Sequence, residues 1–246
     1  MLLLSLLALL GSASAVANQS YIADTGVFYS YNYPNNYDNN LHYFVTVEVD
    51  PGYYALITML DFITEPCCDK VYIWDGLDMT KSIANLSGAQ TGSYFFSTSN
   101  KVVFEFYSDP IETYRGFAIK WEQTKDNTKI EMSNTCPPDI ETASAGFITS
   151  PNWPANYPNS INCSYKLSST KNRVQLKFVA FQTEACCDKV VIFDGDSSSS
   201  PPLATVSGRN LSNTTFQSSG TNLFLVFTTD MTNNDVGFSA YYVSIT

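Results

Sequence analysis

A thirteen-residue segment that occurs twice constrains the fold of this chain more than any other feature. It reads TEPCCDKVYIWDG at residues 64–76 and TEACCDKVVIFDG at residues 183–195. Ten of the thirteen positions are identical, and the two copies are 119 residues apart. Self-similarity of this kind indicates that the chain is built from two copies of one structural unit.

The match between the two halves extends on both sides of this segment. Matched positions are Pro34 and Pro154, Tyr37 and Tyr157, Asp109 and Asp230, and the Gly-Phe pairs at 116–117 and 237–238. Between the halves lies TKDNTKIEMSN, which is polar and charged, as an exposed domain boundary usually is. We therefore predict a signal peptide at 1–17, a first domain at 18–123, a linker at 124–135 and a second domain at 136–246.

The patterning between turns is that of β-strands. Residues 174–178 alternate apolar and polar side chains with period two, which is typical of a strand with one solvated face. Strands are predicted at 43–48, 54–62, 164–167 and 173–181, and central strands, apolar on both faces, at 71–74 and 190–193. Helix-length periodicity is missing, so the sequence predicts an all-β chain of two antiparallel β-sandwiches.

Composition narrows the possible partners. The 246 residues carry a formal net charge of −10, with a pI near 4.4. Nucleic acids and anionic membranes select basic surfaces, so neither is expected as a partner. An acidic chain is compatible with hard cations such as Ca²⁺ and with basic groups on a partner protein.

The first 17 residues, MLLLSLLALLGSASAVA, are apolar and end in small residues. The run is short for a membrane span and Ala13-Ser14-Ala15 fits a cleavage site, so we expect a signal peptide; an N-terminal anchor is the alternative. We expect a secreted, extracellular protein with no membrane span. Asn-x-Ser/Thr sequons, which are glycosylation sites or unoccupied surface loops, lie at Asn18, Asn85, Asn162, Asn210 and Asn213.

An ordered set of motifs resembles one family. The second unit has GFITSPNWP at 146–154, then Cys163, FVAFQTE at 178–184, Cys-Asp, Asp-Gly, and an Asp before Gly-Phe. This order resembles the CUB domain, an extracellular antiparallel β-sandwich with jelly-roll-like topology, and it occurs twice in tandem. The Cys-Cys-Asp form is similar to that of CUB domains in secreted nematode proteins.

Two cysteines occur only in the second unit. Cys136 and Cys163 have Val16 and Tyr43 as their counterparts in the first unit. Because both partners are missing together, we predict a disulfide bond between them, and the CUB resemblance implies the same bond. Such a bond is worth about 3 kcal/mol. The first unit must fold without it and is expected to be the less stable of the two.

The other cysteines form two adjacent pairs, Cys67-Cys68 and Cys186-Cys187. The resemblance implies a second bridge to a cysteine further along, but Ser87 and Ser207 precede the relevant glycines. A disulfide bond within each pair, fixing a tight turn, is the simplest closure. Free thiols, bridges between the units and bridges to another chain are the alternatives. A redox switch is a minor functional alternative.

The resemblance implies one Ca²⁺ per CUB domain. The implied ligands are Glu65, Asp69 and Asp109 in the first unit and Glu184, Asp188 and Asp230 in the second, supported by Tyr37, Tyr157 and Asn233. Calcium takes six to eight hard oxygen ligands, which suits this set. Only three residues separate Glu65 from Asp69, fewer than is usual in the family, so the turn either brings both acids to one cation or misplaces one. The alternative is that the acids cap turns.

An enzyme is not expected. The single histidine, His42, has Asn162 as its counterpart and no catalytic motif accompanies it. Paired acids could suggest a glycosidase, but their duplication and their shared cation argue against one. We expect an extracellular binding protein whose acids, supported by calcium, grip a Lys or Arg of a partner protein. The alternatives are carbohydrate or microbial-surface recognition, and a structural matrix component.

Overall fold

The structure is a computed structural model that describes residues 17–128, 135–136, 144–209, 211 and 214–246. Residues 1–16 of the predicted signal peptide lie outside the described residues. So do half of the predicted linker, residues 129–134, and the sequons at Asn210 and Asn213.

The first unit is a sandwich of two sheets. Its strands are β1 (Gln19–Ile22), β2 (Thr25–Tyr29), β3 (His42–Glu48), β4 (Tyr54–Ile63), β5 (Lys70–Asp75), β6 (Ser82–Leu86), β7 (Tyr94–Phe96), β8 (Lys101–Tyr107) and β9 (Gly116–Thr124). One sheet has the order β1-β3-β8-β5-β6 and the other β2-β9-β4-β7. Strand β1 is parallel to β3, and the other pairs are antiparallel.

The described part of the second unit repeats this architecture in eight strands, and the residues that match β1 lie outside the described residues. Its strands are β10 (Ala145–Thr149), β11 (Asn162–Ser168), β12 (Arg173–Gln182), β13 (Lys189–Phe193), β14 (Pro202–Val206), β15 (Thr215–Gln217), β16 (Asn222–Thr228) and β17 (Gly237–Ile245). The sheet orders are β11-β16-β13-β14 and β10-β17-β12-β15. The prediction of two antiparallel all-β sandwiches is confirmed, and no described residue is helical.

The core of each unit lies between its two sheets. Alternate side chains of β3, those of Tyr43, Val45 and Val47, are each 1% exposed, and β11 shows the same alternation. Strand β5 lies between β8 and β6, and β13 between β16 and β14, which confirms the prediction of central strands at these places.

The two units differ where the chain enters the sandwich. In the first unit β1 extends the sheet by pairing with β3, from Gln19 opposite Val45 to Ile22 opposite Glu48. In the second unit the structure joins Cys136 to Cys163 of β11 by a disulfide bond, with their Cα atoms 5.2 Å apart. The buried ring of Tyr43 takes the place of Cys163 in the first unit.

The units contact each other through their sheets. The ring of Tyr33 in the first unit lies 5.5 Å from the ring of Tyr241 and 6.4 Å from that of Phe147. The Ser239 hydroxyl donates a hydrogen bond of 3.0 Å to the Leu60 carbonyl oxygen, and both residues are buried. A buried hydrogen bond between the units indicates close packing with no intervening solvent.

A buried ion pair lies in the first unit beside this contact. The Arg115 guanidinium donates to both oxygens of Asp61, at 2.6 and 2.7 Å, and the Tyr33 hydroxyl donates to Asp61 at 2.9 Å. The Asp61 side chain is fully buried. The matched positions in the second unit are apolar, Ala180 and Val236. No pattern in the sequence pointed to this pair.

Candidate calcium sites

Two loops at one end of each sandwich bring the predicted acids together. In the first unit Glu65 and Asp69 lie between β4 and β5, and Asp109 follows β8. Carboxylate oxygens of these three residues lie within 4.8 Å of one another. The matched set in the second unit, Glu184, Asp188 and Asp230, is equally close. The short Glu-to-Asp turn therefore does bring both acids to one place.

Each turn is closed by a disulfide bond between adjacent cysteines, Cys67–Cys68 and Cys186–Cys187, with Cα atoms 3.7 Å apart in both. The sulfur atoms are thus bonded to each other and do not offer thiolates to a metal. The Thr64 hydroxyl donates a hydrogen bond of 3.1 Å to the backbone oxygen of Asp69 across the same turn. The disulfide and this bond fix the spacing of the two acids.

A buried tyrosine orients the central aspartate of each site. The Tyr37 hydroxyl donates to Asp69 Oδ2 and accepts a hydrogen bond of 3.1 Å from the Glu65 backbone N–H. Burial raises the pKa of Tyr37, so its hydroxyl keeps its proton and remains a donor. In the second unit Tyr157 makes the same two bonds, to Asp188 at 2.6 Å and from Glu184 at 3.0 Å.

The glycine of each Gly-Phe pair leaves room for this tyrosine. Gly116 has a φ of 80°, and a Cβ there would lie 1.9 Å from Ser30 Oγ and 3.3 Å from the Tyr37 ring. Gly237 has a φ of 84° and the same neighbours in the second unit, Ser150 and Tyr157. Only glycine combines a left-handed backbone with so close an approach.

The acids crowd one another in the first unit. Burial raises the pKa of Glu65, and the carboxylates of Asp109, Asp69 and Glu112 raise it further. Burial also raises the pKa of Asp69, although the hydrogen bonds from Tyr37 and from the Asp109 backbone oppose this. Like charges at such a distance disfavour ionisation unless a cation lies among them.

Hydrogen bonds explain the positions of the aspartate side chains but do not satisfy both oxygens of the glutamates. Asp69 Oδ1 accepts a bond of 2.7 Å from the Asp109 N–H, and Asp109 Oδ1 accepts one of 2.8 Å from the Ile111 N–H. By contrast, Glu65 Oε2 and Glu184 Oε2 are buried and have no hydrogen-bond partner in the part of the chain that the structure describes. The turn-capping alternative explains two acids of each set and leaves one oxygen of the third unexplained.

The fourth residue of each site differs between the units. The Asn233 side-chain amide donates a bond of 2.8 Å to Glu184 Oε1. Glu112 occupies the matched position in the first unit and adds a negative charge near Glu65. Both residues have a left-handed backbone, with φ of 49° for Asn233 and 55° for Glu112. The first site therefore has four carboxylates and the second has three and an amide.

The other singled-out residues lie on the surface. Asn18, Asn85 and Asn162 are exposed. Asn162 lines an open cavity of about 450 Å³ that also borders Asp230. His42 Nε2 lies 2.9 Å from Glu105 Oε1 on the outer face of β3, and His42 belongs to neither acid cluster.

Fold and site together define an all-β binding module with a cluster of acids at one end. The model of the CUB domain family matches residues 17–121 and 136–242. The chain therefore belongs to the CUB domain family, whose members are extracellular protein-binding modules.

Named relatives match the chain over part of their own length. Cubilin from Canis lupus familiaris is 30% identical over 244 residues, which cover 92% of this chain and 6% of cubilin. Human cubilin is 30% identical over 238 residues, which cover 92% of this chain and 6% of human cubilin. Zinc metalloproteinase nas-39 from Caenorhabditis elegans is 29% identical over 265 residues, which cover 91% of this chain and 28% of nas-39. The chain thus spans only 6% of the length of the cubilins.

Solved structures resemble the chain more distantly. The CUB1-EGF-CUB2 region of human MASP-1/3 has a TM-score of 0.40 and 18% identity, covering 90% of this chain and 99% of that one. The MASP-1 CUB2 domain bound to Ca²⁺ has a TM-score of 0.39 and 20% identity, covering 42% and 96%. In the part of the chain that the structure describes, no helix has the length and apolar character needed to span a bilayer.

Proposed function

We propose that the chain is a secreted binding protein that acts without catalysis. Each CUB unit holds one Ca²⁺ between its glutamate and its two aspartates, and the acidic loops of each site bind a Lys or Arg side chain of an extracellular partner protein.

The observation that carries this proposal is the unpartnered glutamate oxygen, which occurs in both units. Glu65 is 6% exposed, and among the described residues neither its Oε2 atom nor Glu184 Oε2 has a hydrogen-bond partner. A buried acceptor without a partner is unfavourable, because it loses its hydration and gains no hydrogen bond in return. A hard cation is the partner that suits an oxygen surrounded by further carboxylates.

The acidic residues of each site have different proposed roles. Asp69 is fixed by Tyr37 and by the Asp109 backbone, so its carboxylate is oriented in advance. A bound calcium would neutralise the acids and hold the loops in place. Asp109 is partly exposed and Glu112 is exposed, so their carboxylates can reach a cationic side chain. The chain's net charge of −10 would speed the approach of a basic partner.

Isothermal titration calorimetry on the secreted, metal-free protein tests the cation sites. We expect two calcium sites with dissociation constants of about 10⁻⁴–10⁻³ M. The variants Glu65→Gln and Glu184→Gln should each retain one site, and the double variant none. Glu122→Gln is the control, because Glu122 pairs with Lys120 away from both clusters. Absence of both heat and a melting-temperature change at millimolar calcium would refute the proposal.

Affinity capture from native secretions tests the partner. We expect a protein with an exposed basic segment to be captured, and to be lost on addition of a calcium chelator or in the Asp109→Lys variant. Capture of glycans alone, unaffected by charge reversal at Asp109, would instead support the carbohydrate-recognition alternative and overturn the proposed protein partner.

A further inference from the structure

The outer face of β5 carries two aromatic side chains. Val71 and Ile73 point into the core and are fully buried, so Tyr72 and Trp74 lie on the opposite, outer face. Their rings are stacked, with centroids 5.8 Å apart and planes inclined by 13°. Trp74 Nε1 donates a bond of 3.0 Å to Glu105, which holds the indole ring in place. This aromatic pair is only partly buried.

A glycosylation sequon lies directly beside this pair. Asn85, of the sequence Asn85-Leu86-Ser87, is exposed in β6 and is the register partner of Tyr72 in β5. Residues directly opposite on one face of an antiparallel pair have Cβ atoms about 4.5–5.5 Å apart. A sugar attached to Asn85 therefore begins within reach of the Tyr72 ring.

The second unit lacks both members of this arrangement. At the matched positions Val191 is the register partner of Thr205, so there is neither a tyrosine nor a sequon. Two features that are present together in one unit and absent together from the other are expected to act together.

The exposed edge of each sheet shows a related difference. β6 and β14 are the edge strands of their sheets. β14 begins with Pro202, a residue that blocks further strand pairing, whereas β6 has the sequence SIANL without proline. The first unit therefore needs another means of protecting this edge.

We propose that Asn85 carries an N-linked glycan whose first sugar lies on the ring of Tyr72, with Trp74 supporting that ring from the side. The C–H groups of a sugar ring match the electron-rich face of an aromatic side chain. The glycan covers the aromatic pair and shields the β6 edge. This modification depends on passage through the secretory pathway and is independent of the calcium sites.

Thermal unfolding of the full chain tests the proposal. The protein is secreted from eukaryotic cells and trimmed to one N-acetylglucosamine per sequon. Variants carry the residues of the second unit: Asn85→Thr, Tyr72→Val, and both. We expect each single variant to melt about 2–4 °C lower and the double variant to melt no lower than the singles. Asn162→Gln is the control, since its register partner is Thr228, and it should leave the melting temperature unchanged.

Proton NMR gives a readout that a purely structural role of Tyr72 would not change. The N-acetyl methyl signal of the Asn85 sugar should be shifted upfield by the Tyr72 ring and should return to its usual position in Tyr72→Val. An unglycosylated Asn85 in peptide mass spectrometry, additive melting shifts, or an unshifted methyl signal would overturn the proposal. Binding of free N-acetylglucosamine oligomers to the intact protein at Tyr72 would assign the rings to an external ligand and overturn it equally.

Discussion

The two CUB units anchor the incoming chain by different means. In the first unit, hydrogen bonds between β1 and β3 hold the segment, and Tyr21 of β1 packs against Trp121 with ring centroids 5.0 Å apart. In the second unit a disulfide bond ties Cys136 to β11. One architecture therefore occurs with and without a covalent anchor near this edge, and in the first unit, which has no disulfide there, the paired β1 covers the edge of the sheet.

The units also differ in the residues at two matched positions near the contact between them. The first unit has the Asp61–Arg115 ion pair where the second has Ala180 and Val236. Burying an ion pair is often no better than burying apolar residues of similar size. We therefore expect the pair to contribute specificity at the contact between the units more than stability.

Breaking this ion pair should have the largest effect. Arg115→Val leaves Asp61 buried without its cation and should destabilise the protein by about 3–5 kcal/mol in urea unfolding. The double variant Asp61→Ala/Arg115→Val, which copies the second unit, should recover most of the loss. Arg209→Val is a matched control, because its pair with Asp235 is exposed and worth about 1 kcal/mol or less. Equal losses in the single and double variants would show that the pair itself is stabilising.

Removing the disulfide should have the next largest effect. Cys136→Ser/Cys163→Ser frees the second unit from its covalent anchor and should lower its unfolding free energy by about 3 kcal/mol. Differential scanning calorimetry should then show the second unit melting at a lower temperature, with the first unit unchanged. If the variant melts as the parent does, the anchor is dispensable and the predicted stability difference between the units is wrong.

A smaller effect on stability is expected at Asp75 and at its counterpart Asp194, which lie next to the last residue of the two repeated segments. Burial opposes ionisation of Asp75, but hydrogen bonds from Thr98 and Lys81 outweigh it and lower the pKa to about 2. Asp75 therefore stabilises the fold above pH 4, and this contribution is lost as the pH falls from about 4 to 2. Asp75→Asn should cost about 2 kcal/mol at neutral pH and much less near pH 2, where Asp75 is about half protonated in the folded protein.

The matched variant provides the control for this pH dependence. Asp194 accepts a single bond of 2.7 Å, from the Ser219 N–H, so Asp194→Asn should cost about 1 kcal/mol. Urea unfolding of both variants between pH 2 and pH 7 measures the difference. A constant loss for Asp75→Asn across this range would contradict the assigned pKa.

Strands with a clear alternation were predictable from the sequence. The predicted strand at 173–181 corresponds to β12, Arg173–Gln182, because its period-two patterning reflects one buried and one solvated face. The predicted strand at 54–62 corresponds to β4, Tyr54–Ile63, although residues 57–62 are all buried. Strand β1 was not predicted: it is four residues long and is stabilised by β3, which is distant in sequence. Local patterning contains no information about such a partner.

Grouping of the site acids was predictable, but their bonding was not. Matched positions and family resemblance pointed to Glu65, Asp69 and Asp109, whereas the missing partner of Glu65 Oε2 depends on side-chain positions that only the structure provides. The same holds for Asp61. A register shift in β4 between Met59 and Asp61 interrupts the alternation there, so the sequence could not show which way this carboxylate points.

The contact between the units has a consequence for avidity. The Ser239–Leu60 hydrogen bond and the aromatic contacts around Tyr33 hold the units in one arrangement. If each unit binds one basic side chain, a partner with two such side chains at the matching separation would bind the second without a further bimolecular step. Binding of this kind can exceed the affinity of either site by about 10²–10⁴-fold and fails when the spacing does not match. The spacing of basic residues along the partner would then determine selectivity.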